Sequence, residues 1–333
     1  VKGGNYNETE MSEIPEAPKL QLPSDRPPIF VSAGLVKAES SIYLYASIPE
    51  IAAQIIGDYS MEENVPETLP GSRIFHYDEA HGAAYNAFRL RNPGIKAASM
   101  YLPEAIKAAK AAGQVAIVGV TALKGEDPKL VIPDLAEWAL SMGADGVEVN
   151  GSCPNQDSDD LLCHDISETA ETLQLTRERV GPDPYIILKV SALGETTIRS
   201  YKRLGLMADA VAAINAERGL SPLDEATGRP VIEVSDGYAG KSGPAIASLA
   251  LRNLQSWLRP VAGPADFPIT DAPYDVWSVG GIDNGAEGHY RVHGLGAFAF
   301  GGAQGLHRAP HPGPVVAQWA AEYRDAELMA APA

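Results

Sequence analysis

Cys153 lies in Asn150-Gly151-Ser152-Cys153-Pro154-Asn155, directly after an apolar run over 146–150. Flanked by small and polar residues and stiffened by Pro154, its thiol suits an accessible acid or base better than a packed core position. Lys189 ends the apolar Ile186-Ile187-Leu188. An ammonium is costly to bury unpaired, so three roles stay open: holding a ligand anion, forming a Schiff base, or snorkelling to a rim. Gly280-Gly281 follows Trp277-Ser278-Val279, and Gly301-Gly302 follows Phe298-Ala299-Phe300. Such turns let backbone N–H groups reach phosphate oxygens, and a following helix adds positive potential; the plainer reading is two tight turns. His289 and His293 could share a metal across one helical turn, but no third ligand is evident, and a solvated helix face is the better account. Cys163-His164 has only loop-like acids around it, and no metal site is read there.

These groups need elements that bring their strand ends together. Apolar runs too short for helices, at 28–34, 115–120, 146–150, 185–190, 209–214, 275–279 and 297–300, read as buried strands. Between them Leu102, Ile106 and Ala109 share a helical face behind Pro103, and Leu135, Trp138, Ala139 and Met142 repeat at i, i+3, i+4, i+7. About eight βα units of ordinary size fit between residues 28 and 322. No Gly-x-Gly-x-x-Gly turn follows an early strand, as an open dinucleotide-binding sheet would require. The expected fold is α/β, a closed (β/α)8 TIM barrel occupying one domain over 29–333, with an extended N-terminal arm over 1–28. Polar segments at 61–84 and 217–243 interrupt the alternation and read as inserted βα loops on the active-site face.

Composition narrows the class. The chain has 333 residues, 45% of them hydrophobic, enough to bury a large core without disulfide or metal staples. Against 43 acidic residues stand 26 basic ones, a formal charge of −17, which argues against a nucleic-acid or membrane-surface partner, since both need a basic footprint. No run of about 18 apolar residues could span a bilayer, and residues 1–28 hold no signal-peptide segment. Two cysteines are too few for a disulfide framework or an unaided iron–sulfur cluster. The expected compartment is the cytoplasm, and a Cys153–Cys163 bridge, though allowed by spacing, is the less favoured state.

Together these residues resemble the dihydroorotate dehydrogenase family of FMN-dependent (β/α)8 barrels, over about residues 29–303. The most specific element is Glu148-Val149-Asn150-Gly151-Ser152-Cys153-Pro154-Asn155, close to the family's Asn-x-Ser-Cys-Pro-Asn and similar also to the pyrimidine-reducing domain of dihydropyrimidine dehydrogenase. The resemblance implies that Cys153 is the catalytic base and that Lys189 stabilises charge on reduced flavin. It further implies that Asn86, Arg89, Leu90, Asn150, Asn155 and Asn215 bind a planar, amide-rich substrate. Ser32, Ala33, Gly34, Asn150, Lys189, Ser242, Gly243, Gly280, Gly281, Gly301 and Gly302 would hold FMN. Where the family carries a substrate-reaching lysine, this chain has Asp58; Arg89 and Arg91 stand in place of glycine and proline, and Ala216 replaces a hydroxyl residue.

The implied activity is interconversion of a dihydropyrimidine C–C single and double bond, of the dihydroorotate/orotate type. Asp58 should disfavour orotate-like anions, with Arg89 or Arg91 as the offset. A soluble electron acceptor or an electron-transfer subunit would complete the reaction, and a homodimer is compatible with the sequence. Rival readings are an FMN oxidoreductase on another pyrimidine or an unsaturated carbonyl compound, a Schiff-base lyase using Lys189, and a non-catalytic barrel binding a phosphate ligand.

Overall fold

The computed structural model describes residues 20–67, 71–153, 161–260, 274–302 and 311–330. In chain order the elements are β1 (Ile29–Val31), α1 (Glu39–Ala46), β2 (Ile51–Tyr59), β3 (Phe75–Asp78), β4 (Ala83–Asn86), α2 (Gly94–Ala98), α3 (Leu102–Ala111), β5 (Val115–Val120), α4 (Pro128–Ser141) and β6 (Gly146–Asn150). They continue with α5 (Ile166–Val180), β7 (Tyr185–Val190), α6 (Glu195–Leu204), β8 (Ala210–Ala213), β9 (Glu217–Leu220), β10 (Tyr238–Ser242), α7 (Ala247–Leu258), β11 (Asp275–Val279), α8 (Gly285–His289), β12 (Ala299–Gly302) and a C-terminal helix over Pro312–Ala330. Strands β1, β2, β5, β6, β7, β8, β11 and β12 form a closed parallel barrel, with β12 returning to pair with β1. This is the expected (β/α)8 architecture.

Parallel strands covered on both faces read as continuous apolar runs, and β2, β6 and β7 are buried at every position. Inside the barrel, large side chains face small ones: Trp277, Phe30 and Tyr185 fill space left by Ala53, Ala210, Ala212 and Ala299. Phe30 and Trp277 meet edge to face with centroids 4.9 Å apart. Leu20 and Leu22, at the end of the N-terminal segment, pack against this interior layer. Outside, Leu102, Ile106 and Ala109 of α3 and Leu135 and Ala139 of α4 are buried, as the helical period predicts. Asp127 and Asp165 cap α4 and α5 by accepting from Lys129 N and Glu168 N, which satisfies first-turn donors.

Two local expectations are corrected. The last strand runs over Ala299–Gly302 rather than 297–300, because Ala297 N donates to Arg291 O and stays in the preceding turn. The segments 61–84 and 217–243 are not plain loops. They contribute β3, the first half of β4, β9 and β10, which join as one antiparallel sheet in the order β3-β4-β10-β9. The joining register pairs Gly240 with Asn86, Lys241 with Tyr85 and Ser242 with Ala84. An unpaired hairpin edge leaves a row of unmet N–H and C=O groups, and each insertion supplies the other's missing edge.

Candidate active site

A cavity of about 340 Å³ opens at the C-terminal ends of the barrel strands, walled on one side by the antiparallel sheet. Most of the residues singled out from the sequence converge on it. Ser32, Ala33 and Gly34 reach it from the end of β1, Asn86 and Leu90 from the β4 connection, Asn150 and Cys153 from β6, and Lys189 from β7. Asn215 follows β8, Ser242 ends β10 with Gly243 next, Gly280 and Gly281 follow β11, and Gly302 ends β12. Gly301 packs behind the wall, where a Cβ would stand 2.3 Å from Phe30 O. Arg89 is not among the lining residues, whereas Arg91 is. Asn155 lies outside the described residues.

The carboxamides are tied into one network. Asn150 Nδ2 donates to Asp58 Oδ2 at 2.7 Å, and Asn150 Oδ1 accepts from Ser152 N at 3.2 Å. Asn215 Nδ2 donates to Ser152 O and Ser152 Oγ, both at 3.1 Å, which pins the loop that carries Cys153. Cys153 is 7% exposed, and neither it nor Cys163 is in a disulfide. Cys163 sits outside the cavity with its Sγ 3.4 Å from Ser191 Oγ, which also meets His164 Nε2 at 2.9 Å.

Charge in the floor is balanced by burial. Lys189 Nζ lies 3.2 Å from Glu148 Oε1, both side chains nearly inaccessible. Burial alone would lower the Lys189 pKa, but Glu148 and Asp58 outweigh it and hold the ammonium charged. Burial likewise pushes the Glu148 carboxyl up to about 7, against the pull of Lys189. A lysine held as a cation is a poor Schiff-base nucleophile, so this arrangement disfavours the lyase reading. Glu148 shares with Lys189 the signal of a charge inside an apolar strand, and could have been singled out on that ground.

The segment after β4 is shaped by Asn92. Its Oδ1 accepts from Ser60 Oγ and Gly94 N, and its Nδ2 donates to Ser60 Oγ and Leu90 O. Asn64 Nδ2 holds Arg89 O at 2.9 Å. Arg89 and Leu90 sit consecutively at φ +52° and +58°, a left-handed region that costs L-residues energy and is here over-determined by these bonds. Phe88 stacks on Phe75 of β3 with centroids 6.1 Å apart, and both line the cavity.

On the opposite side, Gly280 and Gly281 adopt φ +94° and +74°, and a Cβ on Gly281 would stand 2.3 Å from Ala247 Cα, the first residue of α7. Backbone thus approaches backbone beside a helix N-terminus, a donor set suited to an anion. Arg291, fully buried, donates to Gly280 O at 3.0 Å and Ser278 Oγ at 3.1 Å and pairs with Glu287. It rises from a π-helical turn, Tyr290–Gly294. Its spacing from Glu287 reads in sequence as a surface helix pair, which conceals its role beneath the glycine turn. The rings of His289 and His293 lie tilted to one another with centroids 4.6 Å apart, and His293 Nε2 meets Tyr323 OH at 2.8 Å.

Fold and site place the chain among the (β/α)8-barrel enzymes that gather their functional groups at the strand C-termini. No family model matches it, but its relatives are dihydroorotate dehydrogenases and a dihydropyrimidine dehydrogenase subunit. It is 28% identical over 241 residues to a putative dihydroorotate dehydrogenase A (fumarate) of Solibacter usitatus, covering 71% of each chain. It is 27% identical over 228 residues to the catalytic subunit of a dihydroorotate dehydrogenase B (NAD(+)) from a Geobacter species, covering 68% of this chain and 70% of that one. The NAD-dependent dihydropyrimidine dehydrogenase subunit PreA of Escherichia coli matches at 28% over 157 residues, 45% of this chain and 36% of its own length. A DHODH from Eimeria tenella, solved in complex with ferulenol, shares the fold with a TM-score of 0.70 at 14% identity, over 91% of this chain and 82% of that one. Among the described residues no helix is long and apolar enough to cross a membrane.

Proposed function

We propose that the protein is an FMN-dependent oxidoreductase of the dihydroorotate dehydrogenase type, interconverting the C–C single and double bond of a dihydropyrimidine. The observation that carries this reading is the convergence of Cys153, Lys189, Asn150 and Asn215 on one cavity with the glycine turns of β11 and β12. The cradle fits the cofactor: a Cβ on Gly34, at φ +101°, would meet no protein atom within 4 Å on the wall that a flat ring would cover. Ser32, Ala33, Gly34, Asn150 and Lys189 would hold the ring, and Ser242, Gly243, Gly280, Gly281 and Gly302 the ribityl phosphate, with Gly301 backing the last turn against Phe30 O. When bound, FMN supplies the two-electron acceptor.

The chain's own residues do the rest. Cys153, as thiolate, takes the proton from the carbon beside a ring carbonyl. Asn86, Asn150, Asn155 and Asn215 present donors and acceptors at fixed geometry to the ring amides. Lys189 stabilises negative charge that accumulates at the floor of the cavity. Phe75 and Phe88 exclude water above it. Electrons leave to a soluble acceptor or an electron-transfer subunit, as the words fumarate, NAD(+) and subunit in the relatives' names suggest. Two cysteines outside any disulfide suit a cytoplasmic location. The fold supports a division into an arm over 1–28 and one barrel domain over 29–333.

The test is a visible spectrum of the purified protein, followed by anaerobic titration with dihydroorotate, dihydrouracil and dihydrothymine. A yellow protein whose flavin bands bleach with one of these is the expected result. Colourless protein that takes up no FMN, or a bound flavin that none of the rings reduces, would overturn it.

A further inference from the structure

Lys37 belongs to the connection between β1 and α1, a stretch with no periodicity to mark it in the sequence. Its carbonyl oxygen accepts from Tyr59 OH at 3.0 Å and from Tyr101 OH at 2.8 Å, so two phenols clamp its backbone. The half-buried side chain lines the same cavity as Cys153, Asp58 and Lys189. Among the described residues its Nζ has one acceptor, the Arg91 carbonyl oxygen at 3.2 Å, and no carboxylate within ion-pair reach. A lysine ammonium carries three donors, so two of its N–H groups are left for a ligand. Burial lowers its pKa, and the field of Asp58 and Cys153 only partly offsets this; an anion in the cavity would relieve that cost.

Asp58 is not the obstacle to an anion that its charge suggests. Its Oδ2 is taken by Asn150 Nδ2, and its Oδ1 packs on Gly119, where a Cβ would come within 2.6 Å. Asp58 is only 4% exposed, with Oδ1 buried and, among the described residues, without a hydrogen-bond partner, while Lys37 Nζ reaches to Arg91 O.

We propose that Lys37 is the specificity-determining residue of the site, binding a carboxylate on the substrate ring and selecting an anionic dihydropyrimidine over a neutral one. This rests on the function proposed above. The geometry assigns to Lys37, and not to Arg89, the offset to Asp58.

The test is calorimetric titration of the purified holoenzyme with orotate and with uracil, for wild type, Lys37→Met, Lys37→Gln and Arg91→Met. Both Lys37 variants keep the main-chain carbonyl that the two tyrosines hold, and thermal melts check that they fold. Loss of a charge-assisted bond to a carboxylate should weaken orotate roughly 10- to 100-fold, while uracil changes less than about threefold. Equal losses for both ligands, no binding of orotate by wild type, or a loss confined to Arg91→Met would each overturn the proposal. Lys37-dependent orotate binding in a protein whose flavin no dihydropyrimidine reduces would leave this inference standing and remove the function instead.

Discussion

Cys153 occupies a loop that Asn215 holds through both oxygens of Ser152, so its position is set before any ligand arrives. If it is the base, Cys153→Ala should slow anaerobic flavin reduction by at least about 100-fold, the scale of a lost general base. Cys153→Ser should keep a residual rate that climbs at high pH, because an alcohol gives up its proton far less readily than a thiol. An alanine variant that reduces flavin at the wild-type rate in stopped flow would remove the residue from the mechanism. Beneath it, the Glu148–Lys189 pair makes stability depend on pH. The folded protein holds the Glu148 proton up to about 7, against an ordinary value of 4.5. Its contribution is therefore full below pH 4.5 and is lost as pH rises through 7. Lys189→Met, which strips Glu148 of its cation, should destabilise by about 3–5 kcal/mol near pH 8 and by clearly less near pH 5, read from urea midpoints. An equal loss at both pH values would show that Glu148 does not titrate in this window.

The glycine turn after β11 is a device of several elements. Its backbone comes from β11, its close approach from the start of α7, and its tether from Arg291 in the π-helical turn after α8. If the turn holds a phosphate, Arg291→Met should weaken FMN by at least about tenfold and riboflavin far less, since the lost element touches only the phosphate end. Flavin fluorescence quenching on titration of the apoprotein measures both. Equal weakening of the two flavins would mean that the turn is structural. The sheet β3-β4-β10-β9 acts at the same scale: it carries Asn86 opposite Gly240 and sets Phe75 over the cavity.

Across the whole molecule the scaffold and the site occupy different layers of the barrel. Trp277, Phe30 and Tyr185 fill the interior below the cavity and contribute nothing to its lining, whereas Val279, two residues beyond Trp277 on the same face of β11, does. Trp277→Ala should therefore cost about 3–5 kcal/mol of stability, measured by denaturant, with FMN affinity kept within about threefold. A loss of FMN affinity that tracks the loss of stability would show that the two layers are coupled. The site is also electrostatically distinct from the chain around it: the molecule carries −17, yet Lys37, Lys189 and Arg91 all reach one cavity.

Local periodicity and residue chemistry suffice to read the barrel, the strand ends and the groups they carry. The buried runs of β5, β6, β7 and β11 and the faces of α3 and α4 follow from side chains two, three or four positions apart, a range that the backbone itself dictates. The Cys153 loop and the glycine pairs are visible because each is a contiguous string at the end of such a run. Tertiary structure alone decided the partners. Asn150 meets Asp58 across a separation of 92 positions, two polar insertions become one sheet by lending each other an edge, and Arg291 dives beneath a turn instead of facing solvent. Lys37 is the sharpest case: no neighbour in sequence marks it, and its place in the cavity is fixed by two tyrosine hydroxyls on other elements. Contacts of this kind exist only once the barrel has closed, because closure, not sequence proximity, sets which strand ends face one another.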